Sequence, residues 1–439
     1  MGDQNPLSDL QNRFCIIDLS GEIRILDRRQ IKKVKKGTSN SEINYYKKQD
    51  GELLMRRRLE SLPIPSKPKD VIADFWVDPS TLMYNRTAFT PEPTSATTLN
   101  YWSGYTVEPT DGDWKLIDDY LHDVICNGDT SSHTYLLKFL AHMVQKPEEK
   151  PGVLIALLSG QGTGKGVFFR LLRAIWARTT LQVSDVDEVV GKFNASLERH
   201  YVVCMDEAIF SGDRKSLDRL KSMITEPVVR IEQKYQPARS IESKHRFFAA
   251  SNHEHFAHIE KDDRRFFFLR VSHCRQEDHE YFGKLCDAIH DTDILGGMVK
   301  FLEDLDLTGF DVRKRPKTNE HSKQKLKSLK GFGRYWFEVL YSGSLTCGGF
   351  GLEDWGDEIF IGTSALLRHY KEFDPQAGRY KAIQEAQVSE ALKKLCPSVK
   401  PNRKMVNNRQ NRGFDLPDIE TARKEFTEYL GCPVEWDDK

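Results

Sequence analysis

The chain has 439 residues, more than a single hydrophobic core usually supports, so two to four domains are expected. Hydrophobic residues make up 39% and aromatic residues 10%, a composition that excludes a disordered chain. Basic and acidic residues number 65 each. No overall positive charge therefore attracts a polyanion, and any contact with nucleic acid must come from local basic patches.

The sequence indicates neither a membrane segment nor a disulfide or zinc framework. No stretch approaches the roughly 18 consecutive apolar residues of a membrane span, and the start MGDQNPLSDLQN lacks the pattern of a secretion signal. The eight cysteines are scattered and form no C-x-x-C pair. We therefore expect a cytoplasmic protein with no membrane partner and no zinc site.

Residues 1–112 are predicted to form an irregular N-terminal domain of unknown role. Residues 13–27 indicate two short strands around a turn at Ser20 and Gly21, and a basic run follows them. The remaining stretch is rich in proline, threonine and serine and shows few periodic segments. It contains no convincing acidic signature of a primase, so a priming activity is not expected from it.

Residues 113–275 alternate between helical and strand patterns. Apolar residues at helical spacing predict two amphipathic helices, a helical collar over residues 113–149. Continuous apolar runs at 153–158, 201–205 and 246–250 then predict strands buried on both faces. Because helical segments separate these runs, we expect an α/β fold with a parallel sheet over residues 150–275.

The C-terminal part of the chain is predicted to contain a linker and a small domain. Residues 276–331 are expected to form a helical segment and a basic linker, because apolar residues become rare beyond Asp311. In residues 332–439, helical segments at 363–373 and 385–396 precede the turn-rich stretch NNRQNRGFDLPD. This order favours a small α+β domain of the winged-helix type.

A glycine-rich segment follows the first buried strand and opens a helix. In such a turn the backbone N–H groups surround a phosphate chain, the helix start adds its positive end, and Lys165 reaches the outer phosphates. The alternative is a glycine-rich turn with an incidental lysine. The predicted ATP-binding residues are Ser159, Gly160, Gln161, Gly162, Thr163, Gly164, Lys165, Gly166 and Val167.

This segment departs from the pattern G-x-x-x-x-G-K-[ST] at two positions. Ser159 stands where the first glycine is usual, and Gly166 stands where a serine or threonine hydroxyl usually binds magnesium. Mg²⁺ would then be held by Asp206 through water, or by Thr163. We favour the first arrangement.

Two further strand ends carry polar side chains. Asp206 and Glu207 follow the run at 201–205, and Asn252 follows the run at 246–250. Because ligands of open α/β sheets bind at the carboxyl ends of the strands, Asp206 is expected to hold the magnesium shell and Glu207 to act as general base. Asn252 is expected to contact the γ-phosphate or orient water, although a strand-terminal asparagine also suits a turn.

Adjacent arginines precede the last apolar run. In a ring ATPase, Arg264 or Arg265 would reach into the site of the neighbouring subunit as an arginine finger. The alternative is a salt-bridged strand edge. The sequence does not distinguish the two residues.

The ordered set SGQGTGKG, YVVCMDEA, FFAASN and KDDRRFFFLRV resembles the superfamily 3 helicases of viruses, phages and plasmids, and is similar to phage-type primase-helicase proteins. The resemblance covers about residues 95–275. It implies an AAA+-type core and a hexameric ring that binds ATP and Mg²⁺ between subunits. It also implies movement on single-stranded DNA in a bacterial host cytoplasm, with a separate primase or polymerase as a further partner.

The resemblance also implies a DNA-facing hairpin within residues 221–234, where Arg230 and Lys234 would meet phosphates in a central channel. Ordinary surface charges on a solvated hairpin are the alternative. Basic residues of the C-terminal domain are expected to bind duplex DNA at an origin, unless that face binds protein. These residues include Lys393, Lys394, Arg403 and Lys404.

The sequence therefore favours an ATP-dependent DNA helicase or translocase in the replication of a phage, plasmid or other mobile element. An ATP-gated DNA-binding initiator that does not unwind DNA is the first alternative. The second is an ATPase that remodels protein partners, for example in defence against phages.

Overall fold

The computed structural model describes residues 5–19, 21–35, 43–62, 67–207, 214–232, 238–253, 256, 263–344, 355, 359–375, 384–406 and 409–436. The chain divides into two compact units. The first unit combines residues 1–208, 218–252 and 270–314, and the second combines residues 209–217, 253–269 and 315–439.

The N-terminal part of the first unit is more regular than the sequence suggested. The two predicted strands are present and pair antiparallel, with Ile16 opposite Ile25. Three unpredicted helices follow, and the last two bury Met55, Leu59 and Phe75 in one core. The expectation of an irregular domain is wrong there, because exposed apolar residues such as Leu53 and Val77 blur the helical period. The elements are α1 (Pro6–Arg13), β1 (Phe14–Leu19), β2 (Glu22–Asp27), α2 (Arg28–Lys35), α3 (Lys48–Glu60), α4 (Pro68–Val77), β3 (Met83–Tyr84), β4 (Arg86–Ala88) and β5 (Thr98–Asn100).

Both helices predicted before the glycine-rich segment are present. The first is α5 (Lys115–Asp119), which continues into a π-helical turn at Tyr120–Ile125. The second is α6 (Thr130–Gln145), which begins where the Asp129 carboxylate accepts the backbone N–H groups of residues 131 and 132. Single π-helical turns within helices often lie at functional sites.

The central sheet confirms the predicted α/β fold. Its strand order is β12-β6-β11-β8-β7, and the neighbours from β6 to β7 are parallel. Strands β6, β8 and β11 are buried throughout, as their apolar runs predicted. The elements of this region are β6 (Leu154–Leu158), α7 (Lys165–Ile175), β7 (Thr180–Val183), α8 (Asp187–Val190), β8 (Val202–Met205), α9 (Arg214–Thr225), β9 (Val228–Ile231), β10 (Arg239–Glu242), β11 (Arg246–Ser251) and β12 (Phe266–Arg270).

Strands β9 and β10 form an antiparallel hairpin outside the central sheet. Arg230 lies opposite Ser240 in this hairpin. Strand β9 falls within residues 221–234, where the resemblance implied a hairpin, whereas β10 lies beyond that range.

Two helices complete the first unit. They are α10 (His279–His290) and α11 (Thr292–Asp304), and each begins at an aspartate whose side chain accepts backbone N–H groups. Helix α11 approaches the backbone of residues 108–112 so closely that only glycine fits at Gly296 and Gly297.

In the second unit, the structure corrects the predicted basic linker within residues 276–331. Residues Asn319–Lys327 form α12, and this helix buries the side chains of Gln324 and Lys325. The Lys325 ammonium group donates to the carbonyl oxygen of Leu430 at 3.2 Å. The buried face of α12 is polar, so apolar periodicity did not reveal the helix.

The rest of the second unit combines helices with a three-stranded antiparallel sheet of order β13-β15-β14. Its core contains the aromatic side chains of Trp336, Tyr370 and Phe426. The two helices predicted at 363–373 and 385–396 are present. The elements are α13 (Gly331–Ser342), β13 (Ile359–Gly362), α14 (Thr363–Phe373), α15 (Glu385–Leu395), β14 (Lys400–Val406), β15 (Arg409–Leu416) and α16 (Ile419–Leu430).

Across the described ranges, none of the helices combines the length and the apolar character that a membrane span requires.

The close approach at α11 predicts an unusual effect of alanine. A Cβ atom on Gly297 would overlap the carbonyl oxygen of Gly112, whereas a Cβ atom on Gly283 of α10 would meet no heavy atom within 4 Å. Although alanine favours helices, Gly297→Ala is expected to lower the free energy of unfolding by about 1–3 kcal/mol. The control Gly283→Ala is expected to raise it by up to about 1 kcal/mol. Urea unfolding measures both, and equal stability of the two variants would contradict the packing described.

Candidate functional site

The candidate residues meet at one edge of the central sheet. Strands β6, β11 and β8 are parallel neighbours, so their carboxyl ends lie side by side. The segment after β6 contacts the end of β11, because the Ser159 N–H donates to the Ser251 carbonyl oxygen at 3.3 Å. The sheet therefore brings the glycine-rich segment, Asn252 and Asp206 to the same edge.

Glycine is required at two positions of the segment. Gly162 has a φ of +72° and Gly164 a φ of +98°, in the left-handed region that other residues rarely adopt. A Cβ atom on Gly164 would also lie 2.6 Å from a ring carbon of Phe282. At Gly164, conformation and space thus favour glycine independently.

Lys165 is the first residue of α7 and its side chain folds back over the turn. The ammonium group donates to the carbonyl oxygens of Ser159 at 3.1 Å and Gly160 at 2.6 Å, and to the Ser159 hydroxyl at 3.0 Å. Burial is the main cause that lowers the pKa of Lys165 to about 8. The Asp206 carboxylate counteracts this shift and the Arg270 guanidinium adds to it, so both charges lie near the ammonium group.

The turn presents backbone donors that suit a phosphate chain. Within the described part of the chain, the N–H groups of residues 162–166 have no hydrogen-bond acceptor. They surround the start of α7, where the helix dipole adds positive character. The residues present therefore fit a phosphorylated ligand.

The hydroxyl groups of the turn have a structural role. Thr163 is 1% exposed, and its hydroxyl bonds to the Ser159 hydroxyl at 2.6 Å and donates to the Gly160 carbonyl oxygen at 3.2 Å. Thr163 is thus unsuited to the alternative role of magnesium ligand. At Gly166 an added Cβ atom would meet nothing within 4 Å, so the place of the usual hydroxyl is open space.

The acidic pair follows β8. Asp206 is partly buried, its N–H donates to the Val183 carbonyl oxygen at 2.8 Å, and its carboxylate accepts from the Gln182 amide at 3.4 Å. Glu207 is exposed and has a φ of +55°. Among the described residues, only three that are not glycine have positive φ, and such strain is concentrated at functional sites.

The structure adds residues that the sequence did not reveal. The loop before α10 covers the glycine-rich turn, because the Gln276 amide donates to the Gln161 carbonyl oxygen at 2.9 Å and the Glu277 N–H donates to that of Gly162 at 3.0 Å. On the other side, the hydroxyl of Tyr120, in the π-helical turn, donates to the Gly164 carbonyl oxygen at 3.0 Å. Arg270 was also missed, because its position beside Lys165 depends on the order of strands in the sheet.

Of the two adjacent arginines, Arg264 is exposed and Arg265 is paired. The Arg265 guanidinium lies 3.8 Å from the Asp263 carboxylate, which also accepts the Arg265 N–H at 3.0 Å. The Arg315 guanidinium donates to the carbonyl oxygens of Asp263 and Arg264 and fixes this backbone. Of the two side chains, that of Arg264 is therefore the more accessible to solvent.

The predicted DNA contacts lie on the hairpin and in the second unit. Arg230 is 72% exposed and forms an ion pair of 3.4 Å with Glu232, whereas Lys234 lies outside the described residues. In the second unit, Arg403 is exposed and Lys404 pairs with Asp415 at 2.7 Å. The ammonium groups of Lys393 and Lys394 lie over the rings of residues 414 and 429 respectively.

Comparison with protein families gives one match. Residues 157–265 match a family described as a family of unknown function, DUF5906. The matched residues contain the glycine-rich turn, the acidic pair and both arginines.

Comparison with curated proteins identifies a phage relative. The DNA primase-polymerase of Nitratiruptor phage NrS-1 is 29% identical over 154 residues, which cover 34% of this chain. The chain matches only 21% of that protein's own length.

Solved structures show a similar fold along nearly the whole chain. Two apo structures of the NrS-1 C-terminal region superpose with TM-scores of 0.63 and 0.64, at 16% and 17% sequence identity. Each covers 94% of this chain and 100% of the solved chain. The expected similarity to phage replication proteins is thereby confirmed at the level of fold and distant relation: the chain resembles the C-terminal region of a phage primase-polymerase.

Proposed function

We propose that the chain is an ATP-hydrolysing motor that moves on single-stranded DNA during replication of a phage or another mobile element. The observation that carries this proposal is the position of Lys165. Its ammonium group lies at the start of a helix, among backbone N–H groups for which the described residues supply no acceptor, and within the electrostatic reach of Asp206. This combination suits a nucleoside triphosphate.

Each residue at the sheet edge has a role in the proposed reaction. The N–H groups of residues 162–166 bind phosphate oxygens, and Lys165 exchanges its carbonyl partners for the outer phosphates. Asp206 orients the shell of Mg²⁺, which when bound neutralises the developing phosphate charge. Glu207 accepts the proton of the attacking water, and Asn252 holds that water or the γ-phosphate.

A neighbouring subunit completes the site in this proposal. We assign Arg264 rather than Arg265 as the finger that stabilises charge in the transition state, because Arg265 is paired with Asp263. An arginine finger contributes on the order of 10³ to 10⁵ in rate. The proposed assembly is a ring, with six subunits as the resemblance implies.

Two observations support DNA as the track. The similar phage protein is named a DNA primase-polymerase. The hairpin carries the exposed Arg230, and a ring of such charges grips a phosphate backbone without reading its sequence. A separate primase or polymerase is a further proposed partner.

The second candidate is an ATP-gated initiator that binds duplex DNA without unwinding it. The observation that favours it is the order α14, α15, β14, β15, which suits a winged helix with basic side chains such as Arg403 on its wing. A forked duplex with ATP separates the two candidates. Strand separation supports the motor, whereas duplex binding without separation supports the initiator.

The first prediction concerns Lys165→Ala. Loss of the ammonium group is expected to abolish ATP hydrolysis, both alone and with single-stranded oligothymidylate, because nothing else in the turn neutralises the outer phosphates. Steady-state phosphate release measures this. The matched control is Lys284→Ala, since Lys284 is exposed on α10 and, among the described residues, its ion-pair partner is Glu280. Normal hydrolysis by Lys165→Ala would refute the assignment of the site.

A second prediction follows from the pKa of Lys165, which burial lowers to about 8. Phosphates bind the protonated amine, so nucleotide affinity is expected to fall by up to tenfold per pH unit above about pH 8. Below that pH the amine is already charged and affinity should be level. Equilibrium binding of a nonhydrolysable ATP analogue between about pH 7 and about pH 9.5 measures this.

The control for the pH profile is Lys165→Arg, whose guanidinium stays protonated throughout this range. Its affinity is expected to be independent of pH even where it is weaker. An identical fall in affinity for both proteins would show that another group causes the dependence.

A further inference from the structure

A buried asparagine side chain contacts the middle of the hairpin, beside the buried apolar residues Val229 and Ile231. Asn194 is 4% exposed and lies directly before the 3₁₀ turn Ala195–Arg199. Its Nδ2 group donates to the carbonyl oxygen of Arg230 at 3.1 Å, and its Oδ1 atom accepts the N–H of Glu232 at 3.0 Å. The amide therefore pairs with β9 as a strand would, along the edge that β10 does not occupy.

The hairpin needs such a contact, because it does not belong to the central sheet. An isolated two-stranded hairpin is marginally stable in water. Its base is held separately, since the Lys150 ammonium group donates to the carbonyl oxygens of Met223 and Glu226 at 2.6 and 2.7 Å. Both acceptors precede β9, which begins at Val228. Burial of Val229 and Ile231 anchors β9, and Asn194 adds the hydrogen bond that holds the Arg230 backbone itself.

Asn194 also lies on a short path to the nucleotide site. The 3₁₀ turn that follows it leads into β8, whose far end carries Asp206 and Glu207. The carbonyl oxygen of Leu197, within that turn, accepts from the ring of His245 at 2.9 Å. His245 directly precedes β11, which leads to Asn252. The turn is therefore joined to both strands that end in candidate catalytic residues.

We propose that Asn194 is a positioning residue that couples contact between DNA and the hairpin to ATP hydrolysis at the sheet edge. The proposal rests on the proposed function, because it takes DNA as the partner of the hairpin. A displacement of the Arg230 backbone on DNA contact is transmitted through the two amide hydrogen bonds of Asn194 to the 3₁₀ turn. From that turn it reaches β8 and β11.

The first arm of the test measures the contact itself. Hydrogen exchange of the amides in residues 228–242 is compared between the wild type and Asn194→Ala, without nucleotide or DNA. Loss of the Glu232 partner is expected to accelerate exchange there while the central strands stay protected. Unchanged exchange in the hairpin would overturn the proposal, whatever the activity of the protein.

The second arm measures coupling. Asn194→Ala is expected to keep its nucleotide affinity and basal hydrolysis, and to lose about threefold or more of the stimulation by saturating oligothymidylate. Asn194→Asp, which keeps the acceptor for Glu232 and loses the donor to Arg230, should fall between the two. If the alanine variant does not fold, Asn194→Asp is used to measure the coupling instead.

The matched control is Asn100→Ala. The Asn100 side chain likewise donates to a backbone carbonyl, that of Thr90 at 2.8 Å, and accepts backbone N–H groups, but it lies far along the chain from the hairpin. Asn100→Ala is expected to lose about as much stability as Asn194→Ala but to keep the stimulation of hydrolysis by oligothymidylate. Equal loss of stimulation in both variants, or none in Asn194→Ala, would overturn the coupling. A wild type that DNA does not stimulate would instead overturn the proposed function, and the exchange arm would still decide the contact.

Discussion

The ammonium group of Lys165 and the carbonyl oxygens of Ser159 and Gly160 form the interaction on which the site depends. A buried cation is costly unless it is paired, and here the turn itself supplies the partners. In the part of the chain that the structure describes, the N–H groups of residues 162–166 have no acceptor. These contacts hold the turn in a conformation that can bind phosphate. They also bury Lys165, and this burial lowers the pKa of its ammonium group.

The surroundings of the turn hold it in place from two sides. Tyr120 contacts Gly164 from the π-helical turn, and Gln276 and Glu277 contact the turn from the loop before α10. Glu277 and Glu207 both have positive φ, so strained backbone occurs on both walls of the site. A binding site built on rigid elements in this way keeps its donors in position without a ligand.

The parts of the fold that could be predicted are those where one physical signal dominates. Strands β6, β8 and β11 are continuous apolar runs; Asp206 and Asn252 directly follow β8 and β11, and the glycine-rich turn that leads to Lys165 follows β6. The helix α12 could not be found, because it buries Gln324 and Lys325 through hydrogen bonds rather than apolar contact. The position of Arg270 near Lys165 could not be predicted either, because it depends on the order of strands in the sheet and leaves no local pattern in the sequence.

A structure determined with a nonhydrolysable ATP analogue and Mg²⁺ would show whether this turn binds a triphosphate. We expect Lys165 to leave the carbonyl oxygens of Ser159 and Gly160 and to contact the outer phosphates, while the N–H groups of residues 162–166 bind phosphate oxygens and Asp206 faces the metal. A nucleotide bound elsewhere, with Lys165 still on its carbonyl partners, would contradict this expectation.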